Sequence, residues 1–169
     1  MLAVRDIPIG AAAFKQAMRS LVSGVTVVAA QDRQGACVGL TATAVTSLSA
    51  DPPSLLVSVN RASAMAPALV RDTLFSVNVL AADQVDVAEA FGGQRGLRGT
   101  GKFAYGHWYR SVSGTPLLAG SVVTFECAVS EMADFATHRV VMGAVLDVHV
   151  ERAGAAALAY RDGRYVSVE

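Results

Sequence analysis

Charge is the first thing this 169-residue sequence is short of: 17% of its residues are Asp, Glu, Lys or Arg, and fourteen of each sign cancel to a formal net charge of zero. No electrostatic excess draws it onto a phosphate backbone, so nucleic acid is excluded as a partner at this stage. Cysteine is scarcer still. Cys37 and Cys127 stand in no CxxC or His-spaced pattern, so no metal site is expected and both read as reduced core thiols. No apolar run reaches the roughly 18 residues of a membrane span, and MLAVRDIPIGAAAFKQAMRSLV lacks a basic stretch followed by a continuous apolar one. A cytoplasmic protein with no membrane partner is expected.

Several catalytic signatures are missing too. No GxGxxG follows a strand with an acidic residue about 20 positions on, which removes a Rossmann domain. There is no GxSxG elbow, no HExxH, and no Ser, His and Asp pattern that singles out a hydrolytic triad. Gly96 to Lys102 spells GxxxxGK, but Phe103 stands where a phosphate-cradling loop needs a magnesium-binding hydroxyl, and AEAFGG before it reads as a helix end instead of a strand. A flexible loop is the better reading there.

What the sequence has in quantity is apolar surface. Hydrophobic residues make up 53% and mean hydropathy is +0.42, above the roughly 45–50% apolar share of an average domain. With zero net charge, such a chain is expected to hide surface in a homo-oligomer. Its length suits one domain over residues 1–169.

Apolar Phe14, Met18, Leu21 and Val22 fall on one face of a helix from Ala11 to Val22. VTVVAA and ACVGLTATAVTSLS, separated by QDRQG, read as a hairpin. Pro52-Pro53 divides it from a third strand, SLLVSVN, after which Ser63 and Pro67 predict a short helix. LFSVNVL is the fourth strand, and Asp83 is the expected cap of a second helix running towards Phe91. GGQRGLRGTGKFAYGHWYRSVSGTP follows as a long Gly-rich and aromatic connection, a length that is usually functional or mobile. SVVTFECAVSEM, HRVVMGAVLDVHV and ALAYRDGRYVSV complete the set, the last turning at Arg161-Asp162-Gly163. Six or seven strands with two or three short helices point to a closed or half-closed antiparallel barrel.

Thr41, Thr43, Thr46, Ser47 and Ser49 set hydroxyls in an otherwise apolar segment, suited to a phosphate or a polar ring edge but equally to strand and turn propensity. Arg61, just past a strand, suits an anion or plain solvation. His138 heads a strand and His107 stands in the long loop, lone histidines of a kind more often structural than catalytic, and His149 reads as solvent-facing. Tyr105, Trp108 and Tyr109 suit stacking on a planar ligand or pinning the loop.

Taken together, FKQAMRSLVSGVTVVAA, GLTATAVTSLSADPPSLLVSVNRAS, FSVNVLAADQVDVAEAFGG, GTPLLAGSVVTFECAV, THRVVMGAVLDV and LAYRDGRYVSV resemble the flavin reductase-like family, the small reductases of two-component flavin-dependent aromatic monooxygenases. The resemblance runs from Phe14 to Val168, and T-A-T, then S-x-S-x-D-P-P, then S-V-N-R-x-S is its most specific part. It implies a mainly β fold with short helices, an antiparallel split β-barrel of the FMN-binding type, with flavin at a homodimer interface. The implied activity is reduction of FMN or FAD by NADH or NADPH, with reduced flavin passed to a partner monooxygenase. A flavin carrier or sensor, and a reductase that keeps its FMN and serves another acceptor, are the alternatives.

By position, the resemblance lays Thr41, Ala42 and Thr43 against the isoalloxazine edge with Ser47 and Ser49 nearby. It assigns Ser58, Val59, Asn60, Arg61 and Ser63 to the ribityl phosphate, and Phe91, Lys102 and Phe103 to the nucleotide side or a neighbouring chain. His138 matches a nicotinamide-side catalytic histidine, although Ala136-Thr137 replace the family's Gly-Asp before it, and Tyr165 matches an aromatic that closes the site. Hydride transfer needs stacking and distance control instead of a side-chain nucleophile, which suits a chain without a triad.

Overall fold

The apolar run from Ala36 to Ser49, expected as one arm of a hairpin, breaks at Thr43-Ala44 into two strands with different partners. That break organises the molecule. The computed structural model describes residues 9–169; residues 1–8, the start of the stretch read above for a leader, lie outside them. In chain order these form helix α1 (Ala11–Met18), strands β1 (Ser23–Gly24), β2 (Thr26–Gln31), β3 (Cys37–Ala42), β4 (Val45–Ala50), β5 (Pro53–Asn60) and β6 (Leu74–Val79), and helix α2 (Val85–Gly92). A 3-10 turn over Gly99–Ala104 follows, then β7 (Trp108–Arg110), β8 (Pro116–Leu118), β9 (Val123–Phe135), β10 (His138–Val150), β11 (Ala157–Arg161) and β12 (Arg164–Val168).

Seven strands make one antiparallel sheet in the order β3-β2-β6-β9-β10-β5-β4. Its two edges, β3 and β4, are consecutive in sequence and only Thr43 and Ala44 lie between them. Two residues cannot span a flat seven-stranded sheet, in which neighbouring strands lie about 4.8 Å apart, so the sheet must curl until its edges meet. The backbone N–H of Ser58 donates to Ala44 O at 3.0 Å close to the join. The result is the expected split barrel, with the split at the β3–β4 bend. A three-stranded sheet, β1-β11-β12, and the β7–β8 hairpin lie outside it.

Residue pattern accounts for the layers. In β5, Leu55, Val57 and Val59 are buried and alternate with Ser54, Leu56, Ser58 and Asn60, the period-two signature of a strand with one face on a core. The buried face joins Val28, Ala30, Phe75, Val77, Val129 and Val141 inside the barrel. Strand β2, second from the β3 edge, is apolar on both faces: Val28 points inward, whereas Val27 packs under α2 with Leu80, Val87, Phe91, Leu118 and Leu158. On β10, Gly143 leaves room for the Phe75 ring, because a Cβ there would lie 2.5 Å from Phe75 Cζ and 3.2 Å from Cys127 Cβ.

Several sequence expectations change. No helix follows β5: residues 61–68 run as turns, and Asn60 Oδ1 accepts the N–H of Ala62 at 2.9 Å, a side chain satisfying the backbone in place of a helical bond. Asp83 does not cap α2, whose preceding residue is Gln84; both Asp83 oxygens accept from Arg152 instead, at 2.8 and 2.9 Å. Helix α1 ends at Met18, short of the expected Val22, and buries none of its residues. The described strands number twelve instead of six or seven, since several are only two or three residues long.

The long connection is ordered, and charge does part of the anchoring. Glu126, 6% exposed on β9, accepts from Ser111 Oγ at 2.8 Å and also from Ser113 Oγ, while His149 Nε2 lies 3.6 Å from its other oxygen. Burial alone would raise its pKa. Hydrogen bonds from Ser113, Ser111, Thr115 and His149 outweigh burial and hold it below the ordinary 4.5.

A group depressed in the folded state stabilises fully above its unfolded value and loses that contribution as pH falls through its folded one. Thermal stability should therefore hold down to about pH 4.5 and fall as acidification continues, and Glu126→Gln should flatten that acid limb in a melting series from pH 7 to 3. Gly143→Ala should cost about 1–3 kcal/mol by overpacking. Its melting temperature should drop by several degrees, at about 2–4 °C per kcal/mol.

Candidate functional site

The split that closes the barrel also opens a cavity of about 370 Å³, within the roughly 300–1,000 Å³ of small-molecule sites. Leu40, Thr41, Ala42, Thr43 and Ala44 form one wall, and Ser58, Asn60 and Ser63 another. The end of α2 supplies Phe91, Gly92 and Gly93, while Lys102 and His138 approach from the long connection and from β10. Leu40, Ala44, Gly92 and Gly93 were not singled out from the sequence, which offers no chemical signal for a residue that contributes only backbone or an aliphatic wall.

Polar chemistry in the cavity is one-sided. No carboxylate lines it, whereas Lys102 and His138 do. Lys102 Nζ donates to Phe91 O at 3.2 Å and to Gly39 O at 3.5 Å, which places an ammonium at the negative end of α2. Burial lowers its pKa from the ordinary 10.5. An ammonium has three N–H donors, so one remains for a ligand. Ser63 Oγ is buried without a hydrogen-bond partner, a debt that a polar ligand in the cavity would settle.

Strand geometry places the remaining groups. Ser58 and Asn60 lie on the face of β5 opposite its buried valines, and His138 stands across from Asn60 in the β10–β5 register. Thr137 Oγ1 and His138 Nδ1 are 2.8 Å apart. Asn60 spends its carbonyl oxygen on Ala62, which leaves its NH₂ free of that bond. Thr41 Oγ1 donates to Ala88 O at 2.7 Å and thereby docks α2 on β3.

Gly39 permits that docking at close range, because a Cβ there would lie 2.8 Å from Phe91 Cε1 and 3.0 Å from Val28 O. A glycine inside a strand pattern was the available sign of such an approach. Behind Phe91, Phe103 and Trp108 complete an aromatic cluster with ring centroids 4.8 to 5.2 Å apart.

The other sequence candidates lie elsewhere. Val59 is fully buried in the barrel core, since the alternation that turns Ser58 and Asn60 to the cavity turns Val59 away. Ser47 is exposed on β4, and Ser49 Oγ donates to Asp51 O at 2.9 Å in the turn before β5. Arg61 reaches the β9–β10 turn, where Nε lies 3.4 Å from Asp134 Oδ2 and Nη1 donates to Ala136 O at 3.2 Å. Phe103 backs Phe91 instead of lining the cavity. Tyr165 packs on Tyr160 at 5.3 Å and its hydroxyl hydrogen-bonds the Gln94 amide; burial raises its pKa.

The loop aromatics pin the loop. Trp108 Nε1 donates to Tyr105 O at 2.8 Å, Tyr109 OH donates to Glu151 at 2.7 Å, and the Arg95 guanidinium lies over the Tyr105 ring. The GxxxxGK stretch runs into a 3-10 turn behind α2 in place of a flexible loop, and its lysine serves the cavity described above. Among the described residues, no cluster of three His, Cys, Asp or Glu is placed to hold a metal, and no helix is long and apolar enough to cross a membrane.

A cavity that offers hydroxyls, one ammonium, a histidine and an aromatic wall but no carboxylate suits a planar, polar and anionic ligand, and a flavin phosphate is of that kind. Comparison with known proteins points the same way. The family model described as a flavin reductase like domain matches residues 18–169. FMN reductase (NADH) RutF 2 of Methylorubrum extorquens (strain PA1) is 37% identical over 157 residues, covering 93% of this chain and 89% of that protein.

Among solved structures, BorF, the flavin reductase component of a bacterial two-component tryptophan halogenase, superposes with a TM-score of 0.84 at 31% identity, over 94% of this chain and 98% of that one. A homologue of nitrilotriacetate monooxygenase component B from Mycobacterium thermoresistibile gives a TM-score of 0.81 at 30% identity, over 92% and 85%. With fold, cavity chemistry and sequence in agreement over residues 18–169, the chain belongs to the flavin reductase-like family.

Proposed function

We propose that this protein is an NADH-dependent flavin reductase that takes FMN as its flavin and delivers the reduced form to a partner monooxygenase. The observation that carries the reading is the carboxylate-free cavity at the barrel split, with Lys102 and the unpartnered Ser63 hydroxyl inside it. Likeness to a reductase named for FMN and NADH supports the choice of substrates, and likeness to reductase components of two-component systems supports the partner. Bound flavin would supply the ring that accepts a hydride from the nicotinamide, together with a proton, to give the two-electron reduced form.

The chain's own residues have distinct tasks in this reading. Backbone and hydroxyl groups of Thr41 to Thr43 orient the ring edge, and their dipoles favour the negative charge it gains on reduction. Ser58, Asn60 and Ser63 hold the ribityl phosphate. Lys102 neutralises anionic charge from the α2 side, and Phe91 supplies an apolar wall that excludes water. His138, on the exposed side of the cavity, meets the nicotinamide donor. Arg61, engaged by Asp134 and Ala136, supports the turn that carries His138 and adds positive potential near the phosphate.

We assign the unpartnered apolar surface to a homodimer. Phe14, Met18 and Leu21 on and after α1 are 55%, 46% and 54% exposed, and Leu146, Val148 and Val150 form a second stripe along one face of β10. A second copy can cover both. Two free thiols and a nicotinamide donor suit the reducing cytoplasm, where we place the reaction.

Absorbance at 340 nm with NADH or NADPH and substoichiometric FMN or FAD in air tests the activity. NADH loss that scales with added FMN is expected, and no consumption with any pair would overturn the reading. Lys102→Met should weaken FMN binding about tenfold or more, the worth of one charge-assisted hydrogen bond, in a flavin fluorescence titration. Ser63→Ala should weaken FMN binding several-fold without lowering the melting temperature of the flavin-free protein, because it deletes a buried hydroxyl that has no partner there. Sedimentation should give a dimer that Leu146→Lys dissociates.

A further inference from the structure

We propose that Asn78 and Ser76, buried on β6 and absent from the cavity lining, are positioning residues that set the aromatic wall of the flavin site through the β7–β8 hairpin. The proposal rests on the flavin reading above. The hairpin belongs to neither larger sheet, and its own ladder is only three residue pairs long, so side chains must hold it against the barrel.

Ser76 Oγ donates to Pro116 O at 2.6 Å, and Asn78 Oδ1 accepts the backbone N–H of Leu118 at 2.9 Å. Asn78 Nδ2 donates to Val27 O and to Ser76 Oγ, both at 2.9 Å, and Thr124 Oγ1 donates to Asn78 Oδ1 at 3.1 Å. Leu118 O accepts from Ser121 Oγ at 3.0 Å. Ser76, Asn78, Ser121 and Thr124 all have zero exposure. A buried amide in a strand core gains little over an apolar residue of similar size, but a fully paired one admits a single geometry for whatever it binds.

That geometry is transmitted to the cavity. Leu118 pairs with Trp108 across the hairpin, and its side chain fits under Gly106, where a Cβ would lie 2.6 Å from Leu118 Cδ1. The Trp108 ring then packs on Phe91 and Phe103, at 5.2 and 4.8 Å. Phe91 is cavity wall, and its carbonyl holds Lys102. A displacement of Leu118 therefore reaches both the apolar wall and the ammonium, although neither Asn78 nor Ser76 touches the ligand.

The chain has one tryptophan, so Trp108 emission reads the hairpin directly. Ser76→Ala and Asn78→Ala should shift that emission to longer wavelength in folded protein and raise the FMN Kd and KM about fivefold, with kcat at saturating FMN within about twofold of wild type. Should Asn78→Ala fail to fold, Ser76→Ala, which loses one hydroxyl, carries the test. A folded variant with lowered melting temperature but wild-type Trp108 emission and wild-type FMN Kd would overturn the proposal, since a merely structural role predicts that result. Wild-type protein that binds no FMN would instead overturn the function itself, an outcome read before any variant is compared.

Discussion

Two residues, Thr43 and Ala44, join the opposite edges of a seven-stranded sheet, and most of the molecule follows from that short tether. An antiparallel sheet of this width has two unsatisfied edges, and curling them together is the ordinary way to remove the hazard. Here closure stops at the join itself. Strands β3 and β4 diverge to pair with β2 and β5, and the gap they leave is the cavity. The same backbone bend that makes the barrel therefore presents Thr41 to Ala44 to the cavity.

Charge is sparse, and its placement is consistent with that geometry. The carboxylates nearest the functional elements are engaged elsewhere: Asp134 with Arg61 and Arg139, Glu89 and Asp86 with Arg95, and Glu126 with a ring of hydroxyls. Lys102 is spared such a partner and spends its donors on carbonyl oxygens. An ammonium held by neutral acceptors keeps its full charge available, which is what an anionic ligand requires. The exposed ion pairs add little stability, and each sets a cation beside a carboxylate outside the cavity.

The long connection shows how glycine-rich sequence becomes ordered. Residues 93–116 carry little apolar periodicity and several glycines with positive φ, the ordinary marks of a mobile loop. What orders them comes from outside the segment: Glu126 and Ser76 from the sheet, Glu151 after β10, and the α2 acids that hold Arg95. The α2 acids lie six and nine residues from Arg95, whereas Ser111 and Glu126 are 15 apart and Tyr109 and Glu151 are 42 apart.

Local chemistry written in the chain was legible in advance. The family resemblance carried by T-A-T and S-V-N-R-x-S pointed to the walls of the site, while Pro52-Pro53 and the apolar run after it predicted β5 and Asp162-Gly163 predicted the last turn. These are readable because propensity and hydrophobic period act over a few residues. The break at Thr43-Ala44, the missing helix after β5, the diversion of Arg61 to Asp134 and the inward turn of Val59 were settled by pairing across the fold. The seat of the β7–β8 hairpin and the anchor of a cation depend on residues that folding brings close from 40 to 75 positions away, as for Asn78 with Leu118 and Arg61 with Ala136. No local period encodes that proximity.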